Sequence, residues 1–212
     1  MPSAWFIAID GVDGAGKTTQ CQLLAEWLTA RGYPTVQCRD PGTTVVGEQI
    51  RQWVLHPPSP LSVRTEMLLY MASRSQLVEE IVVPALRSGR SVVSDRYLLA
   101  NVVYQGYGAG LDPATIWYVG RIATGDVLPD LTLVLDLDVA VATRRKQKWT
   151  DRIEERGVEF LERVRQGYLS EARAQPQRIR VIHAEGSPED VHRRVCAEVQ
   201  HVLGLGGTPE RS

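Results

Sequence analysis

The most constraining feature of this sequence is an eight-residue segment near its N-terminus, Gly11-Val12-Asp13-Gly14-Ala15-Gly16-Lys17-Thr18. The segment fits the pattern G-x-x-x-x-G-K-[ST] at each fixed position, and it follows a short apolar run at residues 5–9. A helical pattern comes directly afterwards, with one apolar face formed by Leu23, Leu24, Trp27 and Leu28. The sequence therefore predicts a strand, a glycine-rich turn and a helix in this order.

A turn of this composition is suited to wrapping its backbone around a phosphate. Glycines allow several N–H groups and the N-terminus of the following helix to point at one anion. Lys17 is placed to bridge the β- and γ-oxygens of a nucleoside triphosphate, and the Thr18 hydroxyl is placed to bind Mg²⁺. The pattern indicates phosphate binding, but GTPases, ATPases and kinases share it, so the reaction stays open at this point.

The rest of the chain continues the alternation of strands and helices. Apolar runs at residues 34–38, 91–94, 131–135 and 179–182 are separated by helical patterns, which predict parallel βαβ units. Residues 45–55 form a predicted helix. A longer helical region from about 62 to 86 is expected either to kink at Pro84 or to begin a new turn there. We expect a three-layer α/β/α fold with a parallel sheet of about five strands. Residues 1–204 are expected to form a single domain, and residues 205–212 a flexible tail.

Charge and composition exclude several classes of protein. The formal net charge is -1, and Lys and Arg are scattered, so no broad basic surface for nucleic acid is predicted. No apolar run approaches the roughly 20 residues of a membrane helix, and the N-terminus lacks the basic region of a signal peptide. The three cysteines, Cys21, Cys38 and Cys196, show no metal-binding spacing. We expect a cytoplasmic protein that binds neither membrane nor nucleic acid.

A second polar motif, Asp95-Arg96-Tyr97, follows the apolar run at residues 91–94. It is expected at the carboxyl end of a strand, where open α/β sheets bind their ligands. An acid at this position can orient Mg²⁺, and an arginine can bind a phosphate through two parallel hydrogen bonds. The alternative is an ion pair at the surface with little energetic consequence.

Together with these motifs, further segments in the same order make the chain resemble the thymidylate kinase family over nearly its whole length. The segments that carry the resemblance are residues 6–20, Arg39-Asp40-Pro41-Gly42, residues 68–74, Asp95-Arg96-Tyr97 through Val103-Tyr104-Gln105-Gly106, residues 129–133, Asp151-Arg152-Ile153-Glu154 and residues 163–169. The resemblance implies a P-loop nucleoside monophosphate kinase that transfers the γ-phosphoryl group of ATP to dTMP. The products are dTDP and ADP, within dTTP biosynthesis, and a homodimer is implied.

The resemblance also implies roles on the donor side. ATP is expected to contact Gly11, Asp13, Gly14, Ala15, Gly16, Lys17, Thr18 and Thr19, with Mg²⁺ held by Thr18 and Asp95. A basic cluster at about residues 142–153 is similar to a lid that closes over ATP and contributes arginines to the transferred group. The expected catalytic residues are Lys17, Asp95, Arg96, Arg144, Arg145 and Arg152. A solvated basic surface is the alternative for this cluster.

On the acceptor side, the resemblance implies that dTMP contacts Asp13, Arg39, Tyr70, Arg74, Arg96, Asn101, Tyr104 and Gln105. Asp13 matches the acid that binds the 3′-hydroxyl, and Arg39 and Arg96 match the pair that binds the phosphate. Tyr70 matches the aromatic residue that stacks on the base, and Tyr104 matches the one that crowds the sugar 2′ position. Arg74 matches the arginine that binds the base, and Asn101 and Gln105 are expected near the base edge. Without the resemblance, the apolar helical pattern with Met67 and Met71 favours a core position for Tyr70, and the resemblance reverses that preference.

Several positions depart from the family pattern. Asp40 and Thr43 stand where Glu and Gly are usual, Asp10 replaces a Glu before the loop, and Ala100 replaces a Ser. These changes leave three alternatives open: another deoxynucleoside monophosphate kinase, a deoxynucleoside kinase, and a nucleotide-binding regulatory protein that has lost catalysis. Two phosphate-binding arginines argue against a nucleoside kinase, because its acceptor carries no phosphate.

Overall fold

The computed structural model describes residues 4–145 and 156–204 and contains a five-stranded parallel sheet with the order β2-β3-β1-β4-β5. The strands are β1 (Phe6–Gly11), β2 (Thr35–Arg39), β3 (Ser91–Asp95), β4 (Leu131–Asp136) and β5 (Ile179–His183). The predicted fold class, a three-layer α/β/α arrangement of the P-loop type, is confirmed. The predicted tail at 205–212 and residues 146–153 of the predicted lid lie outside the described residues.

The burial of each strand agrees with its position in the sheet. β1 and β3 are buried along their whole length, as continuous apolar runs require, whereas the edge strands β2 and β5 are partly exposed. β1 lies between β3 and β4, with Ile9 opposite both Asp95 and Leu133. This register places the loop after β1 beside the Asp95-Arg96 motif at the end of β3.

Helices cover both faces of the sheet. They are α1 (Lys17–Ala30), α2 (Val45–Leu55), α3 (Val63–Leu77), α4 (Val83–Arg87), α5 (Leu98–Asn101), α6 (Pro113–Thr124), α7 (Val139–Arg145), α8 (Val158–Ala174) and α9 (Pro188–Leu203). α1 and α9 pack against each other and the sheet, while α5 contacts β1 and α8 contacts β4 and β5. Helices α2, α6 and α9 begin at side-chain caps formed by Thr44, Asp112 and Ser187. No helix within the described ranges is long and apolar enough to cross a membrane.

Near Pro84, a π-helical segment, Val78–Val82, separates α3 from α4, which begins at Val83. Pro84 then falls in the first turn of α4, where its missing N–H costs little. A second π-helical segment, Val102–Gly108, continues α5 and was not predicted. Such segments rotate the side chains that follow them, and this one carries Tyr104 and Gln105.

Candidate active site

The loop between β1 and α1 has the geometry of an anion-binding turn. Gly16 caps α1 with φ of 94°, a left-handed conformation that favours glycine. Gly14 has φ of +86°, and a Cβ at this position would collide with the carbonyl oxygen of Ala142 in α7. The backbone N–H groups at the start of α1 therefore remain accessible from the carboxyl edge of the sheet.

Lys17 lies at the mouth of this loop. Its Nζ donates to the carbonyl oxygen of Val12 at 3.0 Å and to Asp13 Oδ1 at 3.2 Å. Burial lowers the pKa of Lys17 from its ordinary value, and the nearby charge of Arg96 lowers it further. The amine is therefore held by weak partners beside the loop, where a phosphate would be a stronger one.

The hydroxyl of Thr18 and the carboxylate of Asp95 meet next to the loop. Thr18 Oγ1 donates to Asp95 Oδ2 at 2.6 Å. Hydroxyl and carboxylate oxygens are the ligands that Mg²⁺ prefers, and this cation usually keeps several waters and binds substrate phosphates as well. The donor set therefore fits the predicted magnesium position.

Arg96 is fixed by contacts on both of its terminal nitrogens. Nη2 donates to Asp13 Oδ1 at 2.5 Å and to the Tyr104 hydroxyl at 3.2 Å. Nη1 donates to the Gly11 carbonyl at 3.1 Å and to the Tyr168 hydroxyl at 3.2 Å. Burial opposes its charge, but Tyr104 and Asp13 more than compensate and hold the pKa of Arg96 above its ordinary value. A permanently charged guanidinium is thus preset at the centre of the site.

A cavity of about 550 Å³ opens on one side of Arg96. Seven of the eight predicted dTMP-binding residues line it: Asp13, Tyr70, Arg74, Arg96, Asn101, Tyr104 and Gln105. Tyr70 is half-buried in the cavity wall, whereas Met67 and Met71 on the same helix belong to the core. This lining of aromatic faces and a few polar groups suits a base with a sugar, and we call this space the base-sized cavity.

The eighth predicted residue, Arg39, lies on the other side of Arg96. It lines a second, more open cavity of about 900 Å³ together with Lys17, Thr18 and Asp95. Its Nη2 contacts Glu48 Oε1 at 2.9 Å, and its side chain is 46% exposed. In this structure Arg39 therefore lines the cavity of the phosphate-binding turn and not the base-sized cavity.

Sequence reasoning missed Arg51, which lines both cavities. Its Nη1 donates to the Pro41 carbonyl at 3.2 Å, and burial followed by the charge of Arg39 lowers the pKa of Arg51. Within α2 the buried residues Gly47, Ile50 and Val54 define a face at helical spacing, and Arg51 is adjacent to it. A cation beside an apolar helical face was the signal that could have identified it.

Arg74 is buried in the wall of the base-sized cavity and donates hydrogen bonds to three oxygen atoms. Nε donates to Asp40 Oδ2 at 2.5 Å, Nη1 to Asn101 Oδ1 at 2.7 Å and Nη2 to the Tyr97 carbonyl at 3.2 Å. Burial raises the pKa of Asp40, and the charge of Arg74 opposes this rise. Asp40, one of the departures from the family pattern, therefore anchors the arginine that was predicted to read the base.

Thr43 is a second departure from the family pattern, which has glycine at this position. Its φ is 68°, a left-handed conformation that favours glycine. Its hydroxyl accepts a hydrogen bond from the Arg39 backbone N–H at 2.8 Å. This contact offsets part of the strain of a left-handed threonine.

Of the two lid arginines that the structure describes, Arg144 and Arg145, the second is placed against the site. It donates to the carbonyls of Ala184 and Gly186 at 3.4 and 3.5 Å. Together with Gly16 and Pro188 it lines a third cavity of about 590 Å³ beside the loop. The side chain of Arg144 is exposed, and Arg152 lies outside the described residues. The loop before α9, which the sequence analysis did not assign to the site, therefore forms part of it.

Comparisons with known proteins agree on one family. The family model described as thymidylate kinase matches residues 9–195. The thymidylate kinase of Kosmotoga olearia is 44% identical over 195 residues, which cover 91% of this chain and 94% of that protein. The thymidylate kinase of Cutibacterium acnes is 44% identical over 201 residues, covering 94% and 97%. The crystal structure of thymidylate kinase from Ehrlichia chaffeensis superimposes with a TM-score of 0.79 at 31% identity, covering 94% of this chain and all of that one.

Proposed function

This chain belongs to the thymidylate kinase family, and from that premise we propose that it transfers the γ-phosphoryl group of ATP to dTMP, giving dTDP and ADP. The observation that carries the proposal is the pair of adjoining cavities that share Asp13, Asp40, Arg51 and Arg96. One cavity contains the phosphate-binding turn, and the other has the aromatic and polar lining of a nucleoside site. Two phosphorylated ligands bound there would meet at Arg96.

On the donor side, we propose that the backbone of Gly11, Asp13, Gly14, Ala15, Gly16 and Thr19 surrounds the ATP phosphates. Lys17 would exchange its contact with Asp13 for the β- and γ-oxygens, because a phosphate carries more charge than one carboxylate. Mg²⁺ would be held by Thr18 and Asp95, and it would neutralise charge on the phosphates. This cavity also contains Arg145, which we place beside ATP.

On the acceptor side, we propose that the phosphate of dTMP binds between Arg96, Arg51 and Arg39. Asp13, which fixes Arg96, would also accept a hydrogen bond from the 3′-hydroxyl. Base and sugar would lie against Tyr70 and Tyr104, with the base edge near Arg74, Asn101 and Gln105. Alignment of the acceptor oxygen with the γ-phosphorus and neutralisation of charge would supply most of the rate enhancement.

The lid arginines are proposed to act on the transferred group. Because positive charge there stabilises the transition state, Arg144→Ala, Arg145→Ala or Arg152→Ala should lower kcat more than it raises the KM for dTMP. Steady-state kinetics at saturating ATP measure this difference. Unchanged turnover in all three variants would remove the lid from the mechanism.

One coupled assay tests the function. The protein is incubated with ATP and Mg²⁺, and dTMP, dUMP, dCMP, UMP and thymidine are offered separately. We expect the highest kcat/KM with dTMP and none without Mg²⁺. Turnover of thymidine alone would identify a nucleoside kinase. A higher kcat/KM with another monophosphate would show that dTMP is not the preferred acceptor. Binding of ATP without any turnover would indicate a regulatory protein.

We further propose that the chain forms a homodimer through neighbouring helices. Large apolar side chains are exposed on α2, α3 and α6: Trp53, Leu68, Tyr118 and Ile122. α3 packs against both α2 and α6, so these residues lie on adjacent elements. Exposed apolar groups on adjacent helices are typical of a protein interface. A cytoplasmic location, where both nucleotide substrates are available, is part of the same proposal.

A further inference from the structure

The hydroxyl of Tyr168, on α8, contacts both the central arginine and a buried carboxylate behind it. It accepts a hydrogen bond from Arg96 Nη1 at 3.2 Å and donates one to Asp10 Oδ1 at 2.9 Å. Both directions are fixed by chemistry, because a guanidinium only donates and an ionised carboxylate only accepts. Burial and the charge of Asp10 raise the pKa of Tyr168 above its ordinary value, so the hydroxyl keeps the proton that it donates.

Asp10 depends on this hydroxyl. Its carboxylate is fully buried, and Oδ2 has no hydrogen-bond partner among the described residues. Within the same residues, the Tyr168 hydroxyl is the one hydrogen-bond donor to Oδ1, and Arg96, with Nη1 at 3.8 Å, is the one cation within ion-pairing distance. Burial raises the pKa of Asp10, and the charge of Arg96 opposes this rise more than that of Lys17 does. Arg96 is therefore the cation that Asp10 attracts most.

Arg96 is held through its other terminal nitrogen by a second carboxylate. Nη2 donates to Asp13 Oδ1 at 2.5 Å, and Asp13 lines both of the adjoining cavities. Asp10 lines neither of them. A shift of Nη1 towards Asp10 would therefore draw the guanidinium away from Asp13 and from the position proposed for the dTMP phosphate.

We propose that Tyr168 is a positioning residue for phosphoryl transfer: by satisfying Asp10, its hydroxyl prevents this carboxylate from drawing Arg96 away from the two cavities. Without the hydroxyl, Arg96 Nη1 and Asp10 Oδ1 would each lose a partner at the same time, and they are 3.8 Å apart. A buried carboxylate without a donor is costly, so the two groups would pair directly. Water would not replace the hydroxyl, because it cannot approach the ring as closely as a bonded oxygen does.

The experiment rests on the proposed function and measures kcat/KM for dTMP at saturating ATP, at about pH 8, where Asp10 with its pKa of about 6 is ionised. Tyr168→Phe should lower kcat/KM roughly tenfold or more, because a displacement of about 1 Å at a phosphate-binding group is costly. The KM for ATP should stay close to the wild-type value, since the glycine turn and Lys17 bind the donor phosphates. In a crystal structure of the variant, the distance from Arg96 Nη1 to Asp10 Oδ1 should be shorter than 3.8 Å.

The discriminating variant combines Tyr168→Phe with Asp10→Asn. A neutral amide attracts a guanidinium less than a carboxylate does, so the double variant should reach a kcat/KM within about threefold of Asp10→Asn alone. Purely structural damage from Tyr168→Phe would not be repaired by a second substitution in the same core. This comparison also carries the test if Tyr168→Phe alone does not fold, because the double variant has no unpaired carboxylate at position 10.

The matched control is Tyr107→Phe. The hydroxyl of Tyr107 also donates to an acid, Glu171 Oε1, at 3.0 Å, and Glu171 lies on α8, the helix that carries Tyr168. The control therefore removes a tyrosine hydroxyl that is bonded to an acid at the same helix, without removing a contact of Arg96. It should keep the wild-type kcat/KM.

An unchanged kcat/KM in Tyr168→Phe would overturn the inference, and so would a double variant that is roughly tenfold or more below Asp10→Asn. A loss of the same size in Tyr107→Phe would overturn it as well, because the effect would then belong to the packing of α8 and not to Arg96. Absence of dTMP turnover in the wild-type protein would instead refute the proposed function, so the two failures are distinguishable.

Discussion

Asp10, at the end of β1, carries a carboxylate that is fully buried beside the site. Its Oδ1 accepts a hydrogen bond from the Tyr168 hydroxyl at 2.9 Å and lies 3.8 Å from Arg96 Nη1. Its Oδ2 has no hydrogen-bond partner among the described residues. Burial therefore outweighs these partners and raises the pKa of Asp10 from 3.8 to about 6. We consider the substitution Asp10→Asn, which keeps the shape and removes the titration.

The raised pKa sets both the direction and the size of the expected effect. Between pH 3.8 and about 6 the folded protein holds a proton that the unfolded chain has lost, so stability falls as pH rises. A rise in the pKa from 3.8 to about 6 is just over two pKa units. Over the whole titration it lowers the free energy of unfolding by about 3 kcal/mol as the pH rises. Part of this is already lost at pH 4.5, which leaves about 2 kcal/mol between pH 4.5 and pH 8.

The assay is urea unfolding of the nucleotide-free protein, without Mg²⁺, at several pH values in this range. Asn at position 10 leaves an amide nitrogen without a partner, a cost of about 1–3 kcal/mol that does not depend on pH. We therefore predict the slope and not the absolute stability. The free energy of unfolding of Asp10→Asn relative to the wild type should rise by about 2 kcal/mol from pH 4.5 to pH 8. Parallel curves would refute the reasoning, since they would mean that Asp10 titrates equally in the folded and unfolded protein.

Three further predictions concern the loop, the central arginine and the interface. Gly14→Ala should destabilise the protein by about 2 kcal/mol, because Gly14 has a positive φ and a Cβ there would collide with the Ala142 carbonyl. A variant with the melting temperature of the wild type, and with the same affinity for ATP by calorimetry, would contradict this prediction. Arg96→Lys keeps the charge but loses the planar guanidinium that binds both Asp13 and Tyr104, so kcat/KM for dTMP should fall roughly 100-fold. A fall in kcat/KM of less than about threefold would exclude a role for the guanidinium geometry. Ile122→Glu should give monomers in light scattering, and a persistent dimer would remove α6 from the proposed interface.

Much of the fold could be predicted because its signals are local. All five strands were predicted, and β1, β3 and β4 gave the clearest apolar runs, since strands buried on both faces are rich in apolar side chains. Helix α2 was predicted over the residues that form it, because its apolar periodicity and the prolines that follow are local features. The π-helical segment at Val102–Gly108 was missed, because insertion of one residue into a helical turn leaves no compositional mark.

In the candidate site, too, some residues could be predicted from the sequence and others could not. The residues assigned from the resemblance, apart from Arg39, were brought to one base-sized cavity on the acceptor side. Their proposed roles remain predictions. Arg51 and Arg145 show what sequence reasoning handled less well: the first was missed, and the second was assigned to the lid without its contacts to the loop before α9. The position of Arg145 depends on how the end of α7 packs against a distant loop, and that of Arg51 on how α2 packs over the turn at Pro41.

By itself the sequence determined the glycine turn, the strands and the polar residues at their carboxyl ends, because backbone sterics and apolar burial act between near neighbours. Only the tertiary structure decided which charges meet. Arg156 and Glu66 are 90 residues apart, yet their side chains form an ion pair beside the base-sized cavity. Such a contact follows from the packing of α3, α8 and the second π-helical segment, and no local pattern in the chain encodes it.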